Sequence, residues 1–319
     1  MDNTITDIIV KLTPIFVLIG LGVCIRYIGL LKDDTIDDLK KIIINISLPA
    51  ILFFAFLNIN LKISYIFIFI LIFLFCIILY IFGFIVRKIF NMQNEYVPFL
   101  MTGFEFGMMG AVFFGAAFGI ENMGYIGLIG LGHEFFIWFV YVTLLKKHAG
   151  GESNFFSTLK NFITSPVIIA IIAGLVFNIL NLKSFMESFI ISKAVFHSLQ
   201  YLTGLTVPLI LIIIGYNIKF DPVLFTKGSY LIFIRLLIIL SIIIPVDLFV
   251  FKKLLKLDAI FSAALYIFVI LPPPFILPLF IKKDNENEIQ YVNGVLLLYS
   301  FVSIIIFSVY YILYSYRIL

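Results

Sequence analysis

From Ser64 to Val86 the chain runs without a single charged side chain, and from Ser229 to Phe251 only Arg235 and Asp247 interrupt the apolar run. A hydrocarbon core of ~30 Å is crossed by about 20 apolar residues in helical form. Lipid offers no partner for free backbone groups, so segments of this kind are restricted to membrane helices. Ten such segments follow one another: Ile8 to Leu31, Ile36 to Leu57, Ser64 to Val86, Val97 to Gly119, Gly124 to Leu145, Ser165 to Asn181, His197 to Ile218, Ser229 to Phe251, Ala259 to Ile281 and Gln290 to Tyr314. They use up nearly all of the 319 residues, of which 63% are hydrophobic and 13% charged. A soluble domain carries about a quarter charged residues. The expectation is therefore an all-α polytopic membrane protein with about ten transmembrane helices and no soluble domain.

The stretch Met1 to Asp7 is acidic and no small-residue cleavage site follows, so the first span reads as a retained helix rather than a removable signal. Thirteen Lys and Arg, among them Arg26, Lys32, Lys40, Arg87, Lys146, Lys219, Lys282 and Lys283, fall on one set of loops, and eight, among them Lys11, Lys62, Lys183 and Arg317, on the other. The positive-inside rule then puts both termini outside the cell membrane. Arg235 and Asp247 are expected near opposite ends of their span, Arg235 reaching the cytoplasmic headgroups. The net charge of +4 records orientation and implies no nucleic acid. Cys24 and Cys76, both in apolar runs, and three histidines in the whole chain suggest neither a disulfide framework nor a metal site. No cofactor is implied.

The chain divides at its longest polar stretch, giving residues 1–147, a cytoplasmic linker at 148–164 that includes Gly150, Gly151 and Ser153, and residues 165–319. The two halves match. Pro14 in span one is followed eight residues later by Gly22, and Pro166 in span six eight residues later by Gly174. Ser47-Leu48-Pro49 in span two has Asn58 nine residues beyond its proline; Thr206-Val207-Pro208 in span seven has Asn217 at the same distance. Five spans is an odd number, so a duplicated half must enter the membrane inverted, the arrangement that many secondary transporters use for alternating access.

Span four and span nine are the least regular. Thr102-Gly103-Phe104-Glu105-Phe106-Gly107-Met108-Met109-Gly110 and Leu271-Pro272-Pro273-Pro274-Phe275 both weaken helical hydrogen bonding. Broken backbone at membrane depth belongs where protein or a water-filled cavity receives it, so a midplane site is expected where the two breaks meet. The glycines are also compatible with close helix packing. Candidate substrate- or ion-binding residues are Glu105, Gly107, Gly110, Pro272, Pro273, Pro274, Asn45, Pro49, Pro208, His133 and Glu134, with Ser47, Thr206 and Asn293 as further polar lining. Glu105 stands out because a carboxylate at that depth costs about 2.5 to 3.5 kcal/mol on insertion scales; it is expected to carry a coupled proton or contact substrate. His133-Glu134 is compatible with a polar patch facing the helix bundle or with a proton relay near Glu105, but not with a zinc-protease helix, which needs a second His where Ile137 stands.

Pro14-Ile15-Phe16 with Gly20-Leu21-Gly22, Gly29-Leu30-Leu31, and Ser47-Leu48-Pro49-Ala50-Ile51-Leu52-Phe53, together with Pro166 to Gly174 and Pro208 to Gly215, resemble the auxin efflux carrier family, which includes bacterial malate and malonate permeases. The resemblance implies a ten-helix inverted-repeat fold related to the bile acid/sodium symporters, with crossing broken helices four and nine. It also implies an elevator-like movement of spans three to five and eight to ten against spans one, two, six and seven. Family members commonly carry Asn where this chain has Glu105 and Pro near Val112. A buried Glu repels a dicarboxylate unless it is protonated.

The functional expectation is a permease for a small organic solute, an organic anion moved with or against protons. A sodium-coupled symporter and a non-transporting membrane sensor are the alternatives, and a homodimer is left open. No Gly-x-x-x-x-Gly-Lys phosphate loop occurs, so the driving energy is expected from a gradient.

Overall fold

The computed structural model describes residues 2–59, 61–150, 155–217, 222–281 and 285–316. Residues 151–154 of the expected linker, and Lys219, Lys282, Lys283 and Arg317 of the charge count, lie outside them. Among the described residues all regular secondary structure is helical, without strands. The ten elements used below are α1 (Asp2–Tyr27), α2 (Asp33–Asn58), α3 (Ser64–Ile89), α4 (Val97–Phe118), α5 (Ile120–His148), α6 (Pro166–Ile179), α7 (Ile190–Asn217), α8 (Gly228–Leu254), α9 (Ala259–Val269) and α10 (Glu286–Ser315). Eight of them are long and apolar enough to cross a bilayer alone. The other two are α6, which bends by 91° into the short helix Leu182–Ser188, and α9, which stops at the proline run.

Large apolar side chains such as Phe67, Phe84, Phe233 and Ile305 are exposed, while Phe113, Phe114, Phe136 and Phe268 fill the interior. A helix bundle that is apolar on both faces is suited to lipid rather than water. Part of the expected linker is itself a helix, Phe155–Ile163, whose Phe162 ring packs on Phe135 and Phe139 of α5.

Packing follows a paired scheme: α1 lies on α7, α6 on α2, α3 on α5 and α8 on α10. The first two pairs are made by the matched sequence positions. A Cβ on Gly22 would strike the carbonyl of Ile212 and the amide of Tyr216, four and eight residues after Pro208. One on Gly174 would strike the carbonyl of Phe53 and the amide of Leu57, four and eight residues after Pro49. Both glycines thus let one helix backbone rest directly on another.

Twelve residues after each leading proline comes a polar clasp. Arg26 donates to the Tyr216 carbonyl at 2.8 Å, and the Asn178 amide donates to the Leu57 carbonyl at 3.0 Å and to Phe56 and Ile59 beside it. Between the pairs, the Ser47 and Thr206 hydroxyls, which hold matching places two residues before Pro49 and Pro208, hydrogen-bond to each other at 2.7 Å.

Candidate functional site

The helical part of α4 that begins at Val97 ends at Met101, and the chain runs unwound through 102–105 before resuming at Phe106. Gly103 takes φ +69 there, a left-handed conformation that costs glycine little, and a Cβ at that position would also strike the Pro274 ring. Facing it, α9 ends at Val269, residues 270–276 are unwound, and a short turn Leu277–Phe280 follows. The two unwound stretches bind each other. The Glu105 amide donates to the Pro272 carbonyl at 2.8 Å, and the Phe275 amide donates to Glu105 Oε2, also at 2.8 Å. Glu105 Oε1 accepts from the Met108 amide at 3.3 Å, so the same carboxylate caps the helix that restarts at Phe106.

Further side chains hold the stretches in place. His133 Nε2 accepts from the Phe104 amide at 2.9 Å, Thr102 Oγ1 donates to the Cys76 carbonyl at 2.5 Å, and Ser303 Oγ donates to the Ile270 carbonyl at 2.6 Å. An imidazole that accepts at Nε2 holds its proton on Nδ1, and that atom lies 3.5 Å from Glu134 Oε1, beyond good hydrogen-bond geometry.

Arg235 occupies a place that sequence reasoning missed. It does not reach the headgroups: it is 1% exposed, donates from Nη2 to the Gly103 carbonyl at 2.6 Å, and lies over the Phe104 and Tyr299 rings at 5.0 and 4.8 Å. Its Nε and Nη1 and the Tyr299 hydroxyl have no hydrogen-bond partner among the described residues. The rule that an ionisable residue within a span marks function by default would have singled it out. Asp247 is likewise fully buried, accepting from Ser262 Oγ at 2.5 Å and pairing with Lys252 at 3.0 Å, rather than wetted at a membrane surface.

Two cavities flank the crossing of the unwound stretches, of about 480 and about 400 Å³, and Lys40, Met108, Asn217 and Phe275 line both. Glu105, Gly107, His133, Glu134 and Pro274 line the larger and Asn293 the smaller. Gly107 leaves its wall bare, since a Cβ there would touch only Leu48, whereas Gly110 lets Leu271 approach closely. Pro272 and Pro273 are buried behind the crossing. The other candidates stand apart: Asn45 is exposed and its amide donates to the Lys41 carbonyl of its own helix, while Pro49 and Pro208 belong to the α2 and α7 region around the Ser47 and Thr206 pair.

The model of the family described as membrane transport protein matches residues 7–311, nearly the whole chain. A search of curated proteins finds no match.

Proposed function

We propose, for a chain that belongs to the membrane transport protein family of auxin efflux carriers, that it is a secondary transporter of a small organic solute working by alternating access. The observation that carries this reading is the pair of cavities meeting at the crossing of two broken helices, lined by residues from α2, α4, α5, α7, the α9 break and α10. Unwound backbone at membrane depth is tolerated beside such a cavity and supplies partial charges to a ligand. The site proper is then Glu105, Gly107, His133, Glu134 and Pro274.

Two inverted halves, 1–147 and 165–319, provide the framework; their support is that Gly22 rests on Ile212 and Tyr216 as Gly174 does on Phe53 and Leu57, and that Arg26 clasps Tyr216 as Asn178 does Leu57. In the elevator reading, α1, α2, α6 and α7, clasped backbone to backbone, form the stationary scaffold and the remaining helices carry the solute. With both termini outside a cell membrane, Lys40, Ser165 and Asn217 face the cytoplasm, and the cavities they border make this an inward-open state.

A proton is the coupling ion in this reading, with Glu105 as its carrier. Sodium is the less favoured alternative because the Gly103 carbonyl that the unwinding exposes is already taken by the Arg235 guanidinium. The organic-anion expectation draws no support from the crossing, whose Met108 and Phe275 amides already hold a carboxylate.

Counterflow in proteoliposomes loaded with mixed organic acids, amines and amino acids tests the reading, run with either a proton or a sodium gradient. Exchange driven by the proton gradient at zero sodium is the expected result. Exchange that requires sodium would replace the proton, and no exchange of any solute would remove the transport reading.

A further inference from the structure

In a broken-helix transporter an anionic solute is held by the amides at the restarted helix ends. Here those donors are spoken for. The Met108 amide at the restart of α4 and the Phe275 amide beside the Leu277–Phe280 turn both donate to Glu105, and the Phe104 amide between them donates to His133. The protein has put its own carboxylate where a solute carboxylate would otherwise sit.

The charged groups of the larger cavity point the same way. Among the described residues its lining holds two carboxylates, Glu105 and Glu134, and one lysine, Lys40, whose ammonium lies 2.8 Å from Asp37. His133 accepts a backbone hydrogen bond and is therefore neutral, and Arg235 is buried against the Phe104 ring rather than among the lining residues. Glu134 is 19% exposed at its side chain, and its ionisable neighbour among the described residues is His133, whose Nδ1 lies 3.5 Å away. Around these carboxylates stand Phe104, Phe106, Trp138 and Phe275, with Met108. Aromatic faces beside a carboxylate are the chemistry that holds an alkylammonium group, and a volume of about 480 Å³ suits a small organic molecule.

From this arrangement we infer that the solute of this chain is an organic cation, an ammonium group with an apolar or aromatic body, held by Glu134 and the Trp138 and Phe275 rings beside Glu105, whose oxygens the Met108 and Phe275 amides keep at the crossing. The inference deepens the transport reading and rests on it only for the word solute.

Trp138 is the one tryptophan of the chain and lines the cavity, so its emission reports occupancy directly. The purified full-length protein in detergent is titrated with benzyltrimethylammonium, benzyl alcohol and phenylpropionate. The cation is expected to shift the Trp138 emission saturably and at lower concentration than the other two. Glu134→Gln should weaken it by about tenfold, the scale of losing one partner of a partly buried charge pair, and Glu134→Asp should restore part of the loss. Phenylpropionate binding as tightly as the cation to the unaltered protein overturns the inference, as does an unchanged cation affinity in a Glu134→Gln protein that elutes and melts normally. Counterflow separates the two readings: exchange of phenylpropionate without exchange of the cation sinks the inference and leaves transport standing. Cation binding without exchange of any solute does the reverse.

Discussion

The two unwound stretches that meet at the centre of the bundle solve one problem in opposite ways. Breaking a helix frees amides and carbonyls that lipid cannot satisfy. In α4 side chains supply the missing partners: Arg235 for the Gly103 carbonyl, His133 for the Phe104 amide, Glu105 for the Met108 amide. In the α9 break, Pro272, Pro273 and Pro274 have no amide hydrogen, so donors are deleted instead of satisfied. Outside partners there are Ser303 at the Ile270 carbonyl, the Glu105 carboxylate at the Phe275 amide and the Glu105 amide at the Pro272 carbonyl. One break therefore relies on charged and imidazole side chains for several of its freed groups, while the other removes three of its donors through its own prolines and borrows partners from Ser303 and Glu105. Ionisable side chains gather at the first because the second has little use for them.

The largest expected effect is at Arg235. Arg235→Leu leaves the Gly103 carbonyl without its donor and removes the stacking on Phe104 and Tyr299; a loss of about 3 kcal/mol, seen as a lowered melting temperature in detergent, follows from an unsatisfied buried acceptor plus lost packing. Counterflow should fall about a hundredfold because α4 loses its alignment, and Arg235→Lys should lie between the two. A wild-type melting temperature for the leucine variant would show that the charge does not hold the break.

Glu105→Ala comes next, freeing the Met108 and Phe275 amides together for about 2 kcal/mol. Because Glu105 serves both stretches, this variant should loosen both, which proteolysis or hydrogen exchange over 102–110 and 270–280 would register. Protection lost on only one side would mean that the crossing is not shared. Ser303→Ala removes one donor from the α9 side and should cost about 1 kcal/mol.

The smallest effect is expected for Pro273→Ala, about 0.4 to 1 kcal/mol through the greater freedom of the unfolded chain, with counterflow nearly intact. If it proved more damaging than Glu105→Ala, the contrast between the two breaks would be reversed.

Eight of the ten spans, both breaks and the place of Glu105 at one of them were legible in the sequence, because apolar length, glycine and proline act locally; the bend after α6 and the early stop of α9 were not read as shortened spans. The spacings that place Gly22, Gly174, Arg26 and Asn178 at backbone contacts were legible for the same reason: Pro14, Pro49, Pro166 and Pro208 each announce a spacing along one helix. Arg235 was not, because its partner Gly103 is 132 residues away and nothing along α8 says which neighbour its side chain meets. A long basic side chain a few residues inside a span normally turns toward headgroups, and only the packing of α8 beside the α4 break overrides that habit. Asn45 illustrates the reverse error. It is polar and within a span, yet its amide is satisfied one turn back along its own helix and its side chain faces outward.

The backbone contact of Gly22 with Ile212 also bears on the order of assembly. The helix that inserts first has its resting place on one made 190 residues later, and α2 must likewise wait for α6. While the second half is still being synthesised, the first half presents lipid with two faces shaped for backbones that do not yet exist. Contacts so distant along the chain slow the search for the native arrangement and lengthen the life of incomplete states, so truncation after α5 should leave a half that inserts but cannot settle.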